Sequence, residues 1–312
     1  MKPVPEITVV ITCFNYGHYL EGCLNSVFNQ TYQDYEVVVV DDGSTDSTRE
    51  VAEAFMGRPN MRYIRQENSG QARAKNLGIE MARGRYLAFL DADDLWEKEK
   101  LVKQIRLFER PSVGVVYSRA RLIDEKGLPL ALKDPGKYLK PRSGMVVRWL
   151  FIDNFIWFSS AIVRKECLEK FNGFDETLRM GIDWDLWLQI ATRYEFDFVD
   201  EPLLLYRVGH VGQMSKNVEV RQECSDRIMG NYLKKHSNLL DESTLREAYF
   251  HTFCNRGNYY RQSDKRKSVS YFLKAIRTMP FQKEAYKGLI RTLITHNMAT
   301  ADHYPHIGDS GK

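Results

Sequence analysis

The run Gly84-Arg85-Tyr86-Leu87-Ala88-Phe89-Leu90-Asp91-Ala92-Asp93-Asp94 is where the reading of this chain begins. Tyr86 to Leu90 is apolar, too short for a helix, and bounded by Gly84 on one side and by three carboxylates around Ala92 on the other. That pattern predicts a buried strand whose C-terminal end opens into a crevice. Alternate residues of an extended chain share a side, so Asp91 and Asp93 converge. Two converging carboxylates repel each other unless a hard cation lies between them, and Mg²⁺ or Mn²⁺ take such oxygens together with substrate phosphates. An Asp-rich turn after a strand would look the same, so the meaning of the motif depends on its company.

That company is a repeated alternation. Ile7 to Thr12 is a β-branched run fit for a central strand, followed by the loop Cys13-Phe14-Asn15-Tyr16-Gly17. A helix with Leu20, Cys23, Leu24, Val27 and Phe28 on one face comes next. A second strand, Tyr35 to Val40, ends in Asp41-Asp42-Gly43-Ser44, and Ser47 with Glu50 fits a capping box. Met61 to Arg65 reads as a third strand, and a helix runs from Asn68-Ser69-Gly70 to Arg83. Strand, loop and amphipathic helix in alternation predict an α/β fold with a doubly wound, mainly parallel sheet flanked by helices. Ligands bind such sheets beyond the strand C-termini, where polar loops stand at Thr12–Asn15, Asp41–Ser44 and Asp91–Asp94. The loop after the first strand lacks Gly-x-Gly-x-x-Gly, which disfavours a nicotinamide or flavin enzyme.

Further on, Leu101, Ile105 and Phe108 predict another amphipathic helix, and Val113 to Ser118 another strand. From Arg121 to Val147 regular pattern is lost. Phe155 to Ser160 reads as a core strand edge, Trp184 to Tyr194 as a helix, and Phe196 to Val199 as a final strand. Beyond Glu219 the pattern is helical.

Composition sets bounds on function. With 45 basic and 41 acidic residues and no basic block, nothing marks nucleic acid as a partner. Five scattered cysteines without metal-ligand spacing predict reduced thiols. The richest apolar stretch, Trp149 to Val163, contains Asp153 and Asn154 and falls short of the ~20 residues a membrane span needs. Lys2-Pro3-Val4-Pro5-Glu6 interrupts any apolar leader, so a cytoplasmic protein is expected.

Four motifs together resemble the inverting family 2 glycosyltransferases of GT-A fold: Thr12-Cys13-Phe14-Asn15, Val40 to Asp46, Asn68 to Gly78, and Leu90 to Asp94. Their order and spacing agree with that family from about Pro5 to about Ser215. The resemblance implies a transferase taking a sugar from a nucleotide-diphosphate donor, UDP by default, to an acceptor hydroxyl. It implies nucleotide contacts from Thr12, Phe14, Asn15, Asp41 or Asp42, Arg73 and Asp91, and a Mg²⁺ or Mn²⁺ site at Asp93 and Asp91. The acceptor-side motif of the family is matched by Gly181-Ile182-Asp183-Trp184-Asp185-Leu186, with Ile182 where Glu is usual. Asp183 is the candidate general base, because inverting transfer needs one carboxylate to take the acceptor proton. Asp185, two residues on, lies on another face of the helix and reads as structural. In relatives the segment after Tyr206-Arg207 covers the nucleotide, and a metal or phosphate role for His210 is left open.

The resemblance also implies a glycan or lipid-linked acceptor, surface polysaccharide or glycolipid assembly in the cell envelope, and room for peripheral contact at the inner face of the membrane. Tyr259, Ser268, Phe272, Ala275 and Pro280 keep a tetratricopeptide-like spacing, expected to pack on the catalytic domain, a second copy or a protein partner. The expected organisation is a GT-A domain over 1–215, a helical extension over 216–297 and a disordered tail over 298–312. A silent nucleotide-sugar or glycan-binding module joined to a helical domain is the competing reading. The intact set Asp91, Asp93 and Asp183 argues against it. A sugar nucleotidyltransferase would need a Gly-rich basic loop after the first strand, and there is none.

Overall fold

The computed structural model describes residues 4–130, 140–210, 212–213 and 217–294. Its first half alternates as expected: β1 (Ile7–Cys13), α1 (Gly17–Phe28), β2 (Tyr35–Asp41), α2 (Thr48–Ala54), β3 (Met61–Arg65), α3 (Gln71–Met81) and β4 (Tyr86–Asp91). The second half of the sheet unit adds β5 (Leu95–Trp96), α4 (Lys100–Ile105), β6 (Val113–Ile123), β7 (Ile162–Arg164), α6 (Lys165–Lys170), α7 (Ile182–Ile190) and β8 (Glu195–Arg207), with α5 (Val147–Ile152) between β6 and β7.

Eight strands form one sheet in the order β3-β2-β1-β4-β7-β6-β8-β5. The first four are parallel, β7 runs antiparallel to both neighbours, β8 is parallel to β6, and β5 is antiparallel to β8. The chain winds outward from β1 to β3 and then returns to place β4 on the other side of β1. Strand order therefore reverses between β1 and β4, and such sheets bind ligands beyond the carboxyl ends at that point. Register brings those ends level, with Thr12 opposite Asp91 and Cys13 opposite Asp41.

Both faces of this sheet are covered, which is why β1 and β2 are apolar without alternation. Leu20, Cys23, Leu24 and Val27 of α1 pack on one face against Ile7, Val9, Ile11, Val37 and Val39. Ala74, Leu77 and Met81 of α3 pack on the other against Val38 and Val40. Gly78 lets α3 lie close, since a Cβ there would stand 2.3 Å from Val10 Cγ1.

Several local expectations change. Ser47 occupies the N-cap of α2 without a side-chain bond; Asp46 Oδ1 accepts instead from Thr48 N at 3.0 Å, and its Oδ2 holds Gly17 N at 2.9 Å. Phe155 to Ser160 is no strand edge. It is a loop closing in a 3-10 turn, Phe158–Ser160, whose Phe158 packs among Phe89, Phe174 and Trp187. The last strand continues to Arg207, because the pairing with β6 slips between Ser118 and Arg119 and Pro202 falls beyond that slip. A bulge accommodates a residue with no N–H to donate. The helix expected from Trp184 starts at Ile182, with Gly181 as its N-cap at φ 71°.

Contacts divide the chain into two units, one of residues 1–146 and 155–232, the other of 147–154 and the chain from Leu233 onward. The second unit holds α5 packed on α9 (Glu242–Ser263), together with α10 (Lys265–Thr278) and α11 (Lys283–Ile294). The long helix α8 (Val218–His236) begins in the first unit, where Arg227 donates to Thr177 O at 3.0 Å. Asp241 and Asp264 cap α9 and α10 by accepting from Thr244 N and Lys267 N. Phe272 is the hub, wedged between Gly257 and Gly288, with Ser268 and Ala275 buried on its face of α10. Ser268 Oγ donates to Gly257 O at 2.7 Å. The tail expected over 298–312 lies outside the described residues.

Candidate active site

The first half of the site forms where α3 crosses the ends of β1 and β4. Ala72, Lys75 and Gly78 recur every three residues on the buried face of α3, so Lys75 is drawn inward and is 3 % exposed. Its Nζ donates to Asp91 Oδ1 at 2.8 Å and to Thr12 Oγ1 at 3.1 Å, and it lies 4.7 Å from the centre of the Phe158 ring. Asp91 keeps 36 % side-chain exposure on its outer side. The buried ammonium thus neutralises the half-open Asp91, one of the three carboxylates at the sheet's switch point.

The second half follows from the length of β8. Arg207, at its end, donates from its backbone N–H to Asp94 Oδ1 at 2.9 Å and from Nε to Asp93 O at 2.7 Å. Its Nη1 holds the carbonyls of Asp124 and Glu125, each at 2.9 Å. This clamp fixes the Asp93-Asp94 turn and delivers His210, whose Nε2 is 2.9 Å from Asp93 Oδ2. Tyr16 and Tyr19 hold the imidazole edge-on, with centroids 5.5 and 5.4 Å away. Asp94 is buried, and burial first, then the neighbouring Asp93, push its carboxyl well above the usual range. Burial likewise raises the Tyr16 phenol, with Asp93 and Asp91 adding to the effect. The three carboxylates thus differ: Asp94 is structural, Asp91 is paired with Lys75, and Asp93 faces His210.

The third group builds the loop at the end of β2. Asp41 is fully buried, its Oδ1 accepting from Ser44 N at 2.8 Å and its Oδ2 from the Tyr63 hydroxyl at 2.6 Å. Asp42 Oδ1 accepts from Gln66 Nε2 at 2.6 Å and Ser69 N at 2.9 Å, while Oδ2 accepts from Gly70 N at 2.9 Å. Both carboxylates therefore tie loops together. Gly43, at φ 81°, passes so close to Asn68 that a Cβ would stand 2.7 Å from its N. Asn15 takes φ 57°, donates its N–H to Ser44 Oγ at 2.9 Å and accepts from Thr45 N at 2.8 Å. Phe14, by contrast, is left 45 % exposed at the end of β1, an open aromatic face. Arg73 is mostly exposed, and its Nη1 lies 3.5 Å from Glu176 Oε2. The structure thus gathers Thr12, Asp91 and Lys75, and separately Asp93 and His210, but turns Arg73 toward Glu176.

The sequence matches the profile described as Glycosyl transferase family 2 over residues 8–171, more than half the chain. The chain belongs to that family. Among curated relatives, an uncharacterized glycosyltransferase of Rickettsia felis is 30% identical over 204 residues, 65% of this chain but 33% of the relative's length. The putative teichuronic acid biosynthesis glycosyltransferase TuaG of Bacillus subtilis is 37% identical over 129 residues, 40% of this chain and 51% of TuaG. Among solved structures, S. aureus TarS in complex with UDP-GlcNAc superposes with a TM-score of 0.67 at 18% identity, covering 92% of this chain and 89% of that one. The mannosyltransferase PcManGT of Pyrobaculum calidifontis, in complex with GDP-Man and Mn²⁺, gives 0.57 at 18% identity, covering 94% and 87%. The GT-A expectation for the sheet unit is met, with a helical region following it.

In this family 2 chain α7 is buried at every position except Asp183 and Gln189. Ile182 is buried, so where the family pattern has Glu this chain presents no polar group to the site. Asp185 Oδ2 accepts from Gln189 Nε2 at 2.7 Å and stabilises the helix from within. Asp183 stands in the first turn rather than at the cap.

The donor set fits a divalent cation in one way. Asp93 Oδ2 and His210 Nε2 offer an oxygen and a nitrogen 2.9 Å apart, a mixed pair that first-row divalent ions accept. Asp91 Oδ1 faces the Lys75 ammonium instead. Among the described residues no three Asp, Glu, His or Cys side chains gather as a ligand set. Asp93 and His210 are therefore the residues that would hold such an ion.

Sequence reasoning missed Lys75, although the stripe Ala72-x-x-Lys75-x-x-Gly78 carries a signal. A lysine between two small residues at helical spacing sits on the face that approaches the sheet. It left His210 open, because only the course of β8 shows which carboxylate that residue reaches.

Proposed function

We propose that this protein transfers a sugar from a nucleotide-diphosphate donor to an acceptor hydroxyl, with inversion at the anomeric carbon. One observation carries the reading: at the carboxyl ends of β1 and β4, Lys75 holds Asp91 and Thr12, and two residues after Asp91 the Asp93 carboxylate meets His210, while Phe14 after β1 is left exposed. Phe14 offers its face to the nucleobase, and the loop that Asp41, Asp42 and Asn15 hold shapes the nucleoside wall. Thr12 and Asp91 contact the nucleotide, and Lys75 neutralises Asp91 so that the diphosphate can approach. Arg73, paired with Glu176, lies toward the sugar and acceptor side.

A Mg²⁺ or Mn²⁺ ion held by Asp93 and His210 would supply Lewis-acid neutralisation of the leaving diphosphate. The complex of PcManGT with Mn²⁺ supports this choice of cofactor class. Asp183 removes the proton of the acceptor hydroxyl as that oxygen bonds to the anomeric carbon. The bond from that carbon to the diphosphate breaks on the opposite face, which inverts the centre.

UDP is the proposed nucleotide, in keeping with the TarS complexes with UDP-GlcNAc and UDP. Assembly of a surface polymer is the proposed setting, in keeping with the name of TuaG. A glycan or lipid-linked chain is the proposed acceptor class. Among the described residues no helix is long and apolar enough to cross a membrane.

The test is a screen of nucleotide sugars for hydrolysis and transfer with and without Mn²⁺, repeated with Asp183→Asn. Asparagine keeps the shape but cannot accept the proton, so transfer should fall by ~10²–10⁴-fold while donor binding persists. The loss belongs in kcat, because the interaction is made in the transition state. Full turnover by Asp183→Asn would remove it as the base. Failure of every donor to react, with UDP still bound, would favour a binding module.

A further inference from the structure

The last two helices of the second unit carry an unusual surface. Between Lys265 and Ile294 stand eight Lys or Arg residues and a single acid, Glu284, a net of +7. The whole chain carries +4, so the rest of it is net −3. Basic charge is therefore concentrated on α10, α11 and the turn between them.

The same helices expose large apolar side chains. α11 turns its small residues Ala285, Gly288 and Thr292 inward, because Phe272 of α10 fills the space there and a Cβ on Gly288 would come within 2.2 Å of its ring. The large residues at helical spacing consequently face out: Tyr286 is 42% exposed, Ile290 54% and Leu293 65%. Phe281, in the turn before α11, is 96% exposed. On α10, Leu273 is 41% exposed on the stripe that also holds Arg266 and Arg277. Clustered apolar exposure of this kind marks an interaction surface.

We infer that this face of α10 and α11 binds an anionic lipid surface, with Phe281, Ile290 and Leu293 entering the headgroup boundary and the flanking lysines and arginines meeting lipid phosphates. Amphipathic helices with basic flanks and aliphatic or aromatic faces have this composition. Charge complementarity selects the occupant. A second copy docked face to face would bring two net-positive surfaces together, whereas an anionic membrane neutralises one. The inference stands apart from the proposed sugar transfer, since none of these residues belongs to the site.

The experiment is co-sedimentation of the full chain with vesicles of phosphatidylcholine alone and with roughly 30% phosphatidylglycerol. Binding is expected only to the anionic vesicles at about 0.1 M salt, and it should be lost at about 0.5 M. Lys283→Gln with Lys287→Gln should lower the partition coefficient roughly fivefold for each charge removed. Phe281→Ser should weaken binding as well, with an unchanged melting curve, since that side chain supports nothing in the fold. Equal binding to neutral vesicles, absence of binding to either, or indifference to these substitutions would each overturn the inference. So would concentration-dependent self-association abolished by Ile290→Ser, which would assign the face to a second copy.

Discussion

Replacing Lys75 by Met tests whether the buried ammonium is the site's fixed cation. Met keeps an unbranched stem of similar length over Phe158 and removes only the charge and its two hydrogen bonds. An exposed pair would be worth ~0–1 kcal/mol, while stranding one member of a fully buried pair costs ~3–5. Lys75 is buried but Asp91 is 36% exposed and can be rehydrated in part, so the expected loss is about 2 kcal/mol. At ~2–4 °C per kcal/mol for a unit of this size, the melting temperature should fall by roughly 4–8 °C. UDP affinity should fall as well, because Asp91 loses its counter-charge and Thr12 its donor at the proposed nucleotide contacts. Arg73→Met is the internal comparison. Its exposed pairing with Glu176 at 3.5 Å predicts a stability change within ~0.5 kcal/mol. Circular dichroism melts and calorimetric UDP titration of both variants decide the matter. A Lys75→Met protein that melts within about 1 °C of wild type and binds UDP normally, beside an Arg73→Met protein that does not, would refute the reasoning.

Three further outcomes are expected. Asp93→Ala should abolish Mn²⁺-dependent UDP binding while the protein stays folded, and calorimetry with undiminished Mn²⁺ dependence would count against the Asp93–His210 pair as ligands. Glu36 is buried; burial alone would raise its pKa, but bonds from Arg83 Nε at 2.8 Å, Arg83 N at 2.9 Å and Thr8 Oγ1 at 2.9 Å overcome this, and the carboxyl is held below its ordinary value. A depressed folded pKa stabilises above the unfolded value near 4.5 and is lost as pH falls through the folded one, so Glu36→Gln should show a flatter loss of stability in acid than wild type, checked by urea melts from pH 7 to about pH 3. Gly288→Val should overpack Phe272 and destabilise the helical unit by ~1–3 kcal/mol, visible as selective loss of its amide-exchange protection.

Much of the sheet unit was legible because its determinants are local. β1, β2 and β4 are β-branched or apolar runs, each closed by a polar loop, and burial on both faces explains their lack of alternation. The order of those loops was enough to place Thr12, Asp41 and Asp91 at one edge, since parallel strands bring their carboxyl ends level. Capping and strand ends were less legible because they depend on single contacts. Asp46 rather than Ser47 holds the start of α2, and a bulge carries β8 past Pro202.

What the sequence by itself determined was the set of chemical groups: three carboxylates after one strand, a basic helix after Gly70, an acid in Gly181-Ile182-Asp183, and a positively charged helical end. What only tertiary structure decided was the pairing among them. The close seat of Gly78 on Val10 sets the rotation of α3, and so Lys75 rather than Arg73 meets Asp91. The length of β8 and the Arg207 clamp bring His210 to Asp93 across more than a hundred residues of chain. Val147–Asn154 joins the helical unit through α5 on α9, although the residues on either side belong to the sheet unit. The physical reason is common to all three. Residue type and spacing act over one or two turns of chain, while a partner across the fold is chosen by the rigid-body placement of packed elements, which local pattern does not encode.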